Sequence, residues 1–260
     1  MTQTYTTSEM MTVAAARELS SRDVCFVGIG LPSAACNLAR LTHAPRITLI
    51  YESGPLATKP EVLPLSVGDG ELCEKALTTV SGPEIFRYWL QGGRITIGFL
   101  GAAQVDRFGN LNSTVIGPYD RPKVRLPGSG GACEIGLSCG QIFLILKHSP
   151  RSFVEGLDFV TTLGHGRTGR ERKALGIATR GPTLLVTDLC VMRPHPETNE
   201  FMVASLHPGV SRERIRENTG WPVRFIDEVK ETPPPSMEEL GALRDLNART
   251  CRAHGDNGSE

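Results

Sequence analysis

Glu52 follows the short apolar run Ile47-Thr48-Leu49-Ile50-Tyr51 and precedes Ser53-Gly54-Pro55. The run has the length and β-branched content of a buried strand, and Gly-Pro ends it abruptly. A carboxylate placed there projects from the carboxyl end of a strand, where open α/β sheets keep their ligands. Four roles suit it: nucleophile, general base, ribose ligand or turn residue. A second cluster, Leu126-Pro127-Gly128-Ser129-Gly130-Gly131-Ala132, offers consecutive backbone amides to a ligand at close range. Such a loop cradles a phosphate or stabilises a carbonyl oxyanion, unless it is only a flexible turn. It lacks the Lys-Ser/Thr ending that a nucleoside triphosphate loop needs.

Two chemistries compete for these residues. A strand-end carboxylate paired with an oxyanion loop suits acyl transfer: glutamate attacks a thioester, forms a mixed anhydride and splits a difficult exchange into easier steps. The rival is a dinucleotide site. Gly28-x-Gly30-x-x-Ser33 lies between a strand and a helix, and Glu52 ends the next strand about twenty residues later, where a ribose ligand belongs. Pro32, which has no amide to donate, and Ser33 in the third glycine's place count against an NAD-dependent oxidoreductase.

Other polar residues carry weaker signals. Gln104 and Asn110 follow a strand end and are candidates for contacts to an acyl group or its carrier, or for closing their own loop. His207 in Leu206-His207-Pro208-Gly209 reads as structural, because exchange between a thioester and a carboxylate needs no general base. His165 lies in a basic, glycine-containing stretch, 164–174, that suits either the phosphates of a ligand or a solvated loop. The seven cysteines have no CxxC spacing and several sit in apolar runs, which points to reduced thiols in a cytosolic protein rather than disulfides or zinc.

The elements that must position these groups are readable in outline. Residues 8–20 are predicted helical with Ser8 as cap, 24–29 a strand, 33–41 a helix capped by Ser33, and 46–51 the next strand. That order is a βαβ unit and implies a parallel sheet. Further strands are predicted at 95–100, 142–147, 153–163 and 183–188, and helices at 83–92, 212–218 and 237–253. The expected fold is α/β, a mainly parallel, twisted open sheet flanked by helices. One domain spanning 1–260 is the economical reading, with 1–7 and 254–260 mobile, although the Pro-rich 232–236 segment is a possible linker. With 28 basic against 28 acidic residues, neither nucleic acid nor an anionic membrane is an expected partner. The N-terminal sequence has no basic segment followed by an apolar core, so a cytoplasmic location is expected.

Three separated segments then carry a resemblance: Tyr51-Glu52-Ser53-Gly54, the run Gly101-Ala102-Ala103-Gln104-Val105-Asp106-Arg107-Phe108-Gly109-Asn110, and Gly128-Ser129-Gly130-Gly131-Ala132. In that order they resemble family I coenzyme A transferases, on the side of the β subunits of the glutaconate and 3-oxoadipate enzymes. Glu84–Gly93 and Glu217–Trp221 add likeness to the 3-oxoadipate branch. The resemblance implies a CoA-transferase, Rossmann-like fold with Glu52 as the catalytic glutamate and 128–132 as the oxyanion and acyl-CoA segment. It implies ping-pong transfer of CoA through a glutamyl-CoA thioester, from succinyl-CoA to 3-oxoadipate as in aromatic compound degradation, with glutaconate or another dicarboxylate or 3-oxo acid as the alternative substrate. A related hydrolase branch lacks the glutamate. Also implied are a homologous α subunit, in a heterotetramer or larger assembly, and a CoA thioester as substrate with no permanently bound cofactor or metal.

Overall fold

The protein is described here by a computed structural model covering residues 5–255. The chain folds into two compact units, one running to Phe99 and resuming at Pro234, the other formed by Leu100–Pro233. The second crossing thus falls inside Pro233-Pro234-Pro235, where missing amides prevent strand pairing from continuing.

In the first unit, α1 (Thr7–Ala16) is capped by Thr6 in a capping box with Glu9, two residues before the predicted cap Ser8. The predicted βαβ unit is present as β1 (Val24–Phe26), α2 (Leu31–Leu41) and β2 (Thr48–Ile50), with Val24 opposite Thr48 and Phe26 opposite Ile50. Its helix starts earlier than predicted. Gly30, at φ 77°, is the cap, and Ser33 is buried inside the first turns. β3 (Pro55–Leu56) and β4 (Thr78–Thr79) extend the sheet antiparallel from β2, and the short helices α3 (Gly70–Glu74) and α4 (Gly82–Glu84) follow β3 and β4 in turn. β5 (Ile97–Leu100) pairs parallel with β1. Residues 85–90 are π-helical rather than α-helical. Ile85 and Leu90, five apart, are both fully buried, and the wider turn lets both reach the core.

In the second unit, β6 (Gln104–Val105) and β7 (Leu111–Asn112) form one small hairpin, β8 (Val115–Ile116) and β9 (Val124–Arg125) another. Helix α5 (Ala132–Ser138) leads into β10 (Gln141–Ile145), and α6 (Glu171–Ala174) precedes β11 (Pro182–Val186), which lies parallel to β10. β12 (Cys190–Pro194) and β13 (Phe201–Leu206) continue antiparallel. Helix α7 (Arg212–Glu217), capped by Ser211 as predicted, then crosses to β14 (Arg224–Glu231), parallel to β13. Along the run from β10 to β14, pairing is parallel where a helix intervenes and antiparallel where only a short loop does. The strand predicted at 153–163 is absent; that segment makes only single bridges, Phe153 to Val105 and Thr162 to Leu111.

The last helix, α8 (Met237–His254), returns to the first unit behind a Ser236/Glu239 capping box and buries Leu240, Leu243 and Leu246. Arg17 holds Glu239 with two bonds of 2.7 Å, tying α8 to the end of α1. Of the ends predicted mobile, 1–4 and 256–260 lie outside the described residues, while Thr7 begins α1 and His254 ends α8. No helix among the described residues is long and apolar enough to cross a membrane.

Candidate active site

Glu52 stands at the tip of the β2–β3 hairpin, half-buried. The Gly54 amide donates to the Tyr51 carbonyl at 3.1 Å and the Tyr51 amide to the Pro55 carbonyl at 3.3 Å, giving a three-residue loop that ends on a glycine with φ 121°. Each residue around Glu52 is anchored. The fully buried Tyr51 hydroxyl shares a 2.8 Å hydrogen bond with the Ser33 hydroxyl of α2. Burial holds that phenol above its ordinary pKa, so it stays neutral. The Ser53 hydroxyl donates to the Val67 carbonyl, and the Val80 amide to the Gly54 carbonyl at 3.1 Å. The Glu52 carboxylate itself has no hydrogen-bond or ion-pair partner among the described residues. A fixed backbone with an uncommitted carboxylate suits a nucleophile.

The glycine-rich loop belongs to the second unit. The Gly128 amide donates to the Ser113 carbonyl at 2.9 Å, and the Ser113 hydroxyl returns a 2.8 Å bond to the Gly128 carbonyl. Gly128 (φ 99°) and Gly130 (φ 46°) then take left-handed conformations that suit glycine. The Ala132 amide is used on the Ser129 carbonyl at 2.8 Å, whereas the amides of Ser129, Gly130 and Gly131 meet no acceptor among the described residues. A β-carbon on Gly128 or Gly130 would have nothing within 4 Å, so that side of the loop is open. Free amides on an open face are what an oxyanion or phosphate would use.

Gln104 and Asn110 point their amides inward. Gln104 donates to Asp158 at 2.7 Å and accepts from Asn112 at 2.7 Å and the Asp158 amide at 3.2 Å. Asn110 donates to Asp106 and to the Gly166 carbonyl, and accepts from the amides of Gly164 and Gly166. Both side chains are buried and satisfied by protein. Gln104 belongs to the same network as the glycine loop, through Asn112 and its neighbour Ser113. Asn112, Asp158 and Thr161, which receives the Ser113 amide at 2.9 Å, carried no sequence signal of that role.

His207, His165 and His148 are interior groups. His207 bonds the Thr187 carbonyl at 2.8 Å and the Thr232 hydroxyl at 3.1 Å. His165, predicted to lie in a solvated loop, is instead 4% exposed and bonded to the Pro182 carbonyl, because Gly164 and Gly166 let the chain turn inward. His148 stacks on Phe153 with ring centroids 3.7 Å apart and bonds Thr219 at 3.0 Å. Burial pushes its imidazole down to about 4 from an ordinary 6.5, against the opposing pull of Asp188. The unfolded chain takes up a proton below 6.5 that the folded one refuses until about 4. Stability is therefore full above that window and is lost as pH falls through it, by at most about 3 kcal/mol. Urea midpoints measured from pH 7 to 4 should show this decline, and His148→Gln should flatten part of it. The buried thiols of Cys139 and Cys190 are held up to about 12, which makes them inert as nucleophiles. No group of three or more His, Cys, Asp or Glu among the described residues is arranged to hold a metal ion.

The family model for Coenzyme A transferase matches residues 8–218, four-fifths of the chain. The protein belongs to the coenzyme A transferase family. This CoA-transferase chain is 63% identical to one subunit of the 3-oxoadipate CoA-transferase of Pseudomonas knackmussii, across 98% of both sequences. It is 36% identical to one subunit of the glutaconate CoA-transferase of Acidaminococcus fermentans, across 91% of both. The crystal structure of glutaconate coenzyme A-transferase from the same organism overlays it with a TM-score of 0.87 at 31% identity, covering 93% of this chain and 94% of that one. The CoA-transferase fold expected from the three motifs is therefore present. The dinucleotide reading falls with it: Ser33, in the third-glycine position, is buried against Tyr51.

Proposed function

We propose that this CoA-transferase chain is a β subunit that carries CoA on Glu52 while moving it from succinyl-CoA to 3-oxoadipate. The observation that carries the chemistry is the Glu52 carboxylate, unpartnered among the described residues, on a turn whose neighbours are all tied down. The substrate assignment is supported by the 63% identity, spread over nearly the whole chain, to a 3-oxoadipate CoA-transferase subunit.

The steps balance without a redox change. A Glu52 oxygen attacks the thioester carbonyl, the C–S bond breaks, and an acyl-glutamyl anhydride forms with CoA thiolate released. The thiolate attacks the glutamyl carbonyl of the anhydride, expelling succinate and leaving a glutamyl-CoA thioester. A 3-oxoadipate carboxylate attacks that thioester, again releasing thiolate and forming an anhydride. Thiolate attack on its acyl side yields 3-oxoadipyl-CoA and restores Glu52. Each attack builds negative charge on a carbonyl oxygen, and the amides of Ser129, Gly130 and Gly131 are the donors assigned to it. Gln104 and Asn110 hold the surrounding loops instead of touching substrate. A homologous α subunit completes the enzyme as a hetero-oligomer in the cytoplasm; the pairing is supported by the two relatives, each of them one subunit of its transferase.

The test uses the enzyme purified with its α subunit. Incubation with succinyl-CoA and borohydride should reduce the glutamyl thioester to an alcohol at residue 52, located by peptide mass. A label at another residue would end the proposal for Glu52. Faster turnover of glutaconate than of 3-oxoadipate in a substrate panel would overturn the acceptor.

A further inference from the structure

Arg172, in α6, is 5% exposed and has no carboxylate partner among the described residues. Its guanidinium is spent on backbone. Nη1 donates to the carbonyls of Gly136 at 3.1 Å, Leu163 at 3.3 Å and Gly164 at 3.3 Å; Nε reaches the Thr179 carbonyl at 3.4 Å, and Nη2 the Thr179 hydroxyl. That hydroxyl donates in turn to the Leu137 carbonyl at 2.6 Å. Gly136 and Leu137 lie in the last turn of α5, so Arg172 and Thr179 together take up two carbonyls that a helix end leaves unmatched. The positive charge also sits at the negative pole of the helix.

Other contacts press α5 against the same segment. A β-carbon on Gly136 would lie 2.3 Å from Thr162 Cγ2, and the Cys133 thiol reaches the Thr161 carbonyl at 2.9 Å. Gly181 leaves room for the arginine stem, since its β-carbon would come within 2.8 Å of Arg172 Cδ and Nε. Burying a cation costs free energy that an apolar side chain would not. What only a guanidinium supplies is a planar fork that binds several carbonyls of separate segments at once. Helix α5 is under two turns, about 10 Å long, so fixing its far end fixes Gly131 at its start.

We infer that Arg172 is the positioning residue for the 128–132 loop, acting through α5 on the amides assigned to the oxyanion. The inference rests on the proposed reading of that loop. Those donors act on charge that develops in the transition state, so their displacement lowers kcat more than it raises KM.

Arg172→Lys keeps the charge and most of the stem, but a single ammonium cannot span Gly136, Leu163 and Thr179. In the assembled αβ enzyme, well below its unfolding temperature, kcat should fall about 10- to 100-fold while KM for succinyl-CoA changes less than about threefold. Borohydride trapping in the first turnover should show the same slowing in the rate of Glu52 labelling. Normal kcat and normal labelling in Arg172→Lys would overturn the positioning role and leave the Glu52 reading standing. A rise in KM matching the fall in kcat/KM, with kcat kept, would also overturn it. An unlabelled Glu52 in the wild-type enzyme would remove the basis of both. Should Arg172→Lys fail to assemble, Thr179→Val decides: it deletes the relay to Leu137 and leaves the guanidinium. A kcat loss of about 3- to 10-fold at constant KM supports the inference, and full activity overturns it.

Discussion

Glutamine at position 52 should lower kcat of the assembled enzyme by about 10⁴-fold or more, with succinyl-CoA binding nearly unchanged. The substitution keeps the length and shape of the side chain and removes the anionic oxygen that the proposed mechanism directs at the thioester. Because the native carboxylate is half-buried and has no partner among the described residues, little stability is lost with it, within about 0.5 kcal/mol. The variant should therefore fold, assemble and bind, yet fail to turn over or to accept a borohydride label. Aspartate provides the graded comparison. It keeps the charge but withdraws it by one methylene from a backbone that cannot follow, since Tyr51, Ser53 and Gly54 are each hydrogen-bonded elsewhere. About 100-fold in kcat is the expected cost of that retreat. Turnover by Glu52→Gln at the wild-type rate would move the chemistry to the partner subunit.

The position of Glu52 was legible because its causes are local. An apolar β-branched run, then Gly-Pro, marks a strand end, and the Gly28–Ser33 turn marks the preceding crossover. Both signals lie within a few residues of what they predict. The glycine loop was legible for the same reason: Gly128 and Gly130 adopt conformations that few other residues tolerate. What could not be read locally was the direction of a polar side chain. Gln104 and Asn110 follow a strand end as substrate contacts would, but the groups that claim them, Asp158, Gly164 and Gly166, are 54 to 56 residues away. Arg172 is hidden in the same way, in a run of charged residues that looks solvated until the carbonyls of Gly136 and Gly164 close on it.

The fold was misread where burial and strand pairing part company. Residues 153–163 have strand composition, yet Phe153 is buried between the rings of His148 and Trp221 rather than in a ladder. Conversely, β14 is a strand of eight residues that reads Arg-Phe-Ile-Asp-Glu-Val-Lys-Glu and is mostly exposed. Its charged side chains suit an edge strand, where they discourage pairing with another chain, and they mask the apolar pattern that a search for buried strands requires.

Alanine in place of Gly54 should destabilise the protein by about 4 kcal/mol, the sum of a backbone strain of about 1–2 kcal/mol and an overlap of similar or greater size. Gly54 has φ 121°, and a β-carbon there would lie 2.0 Å from the Val80 carbonyl oxygen. That oxygen belongs to main chain and cannot rotate aside. Nor can the segment retreat freely, because the Val80 amide donates to the Gly54 carbonyl and Pro55 pairs with Thr79 in the adjoining ladder. Gly93→Ala separates the two terms. Its φ is 68°, but a β-carbon there meets nothing within 4 Å, so strain alone should cost about 1 kcal/mol. Urea unfolding of both variants measures the difference. The same displacement moves the turn that presents Glu52, so Gly54→Ala should also lose about 10-fold or more in kcat at temperatures where it remains folded. If Gly54→Ala unfolds no more easily than Gly93→Ala, the hairpin yields to the added methyl, and rigid presentation of the carboxylate is no longer part of the mechanism.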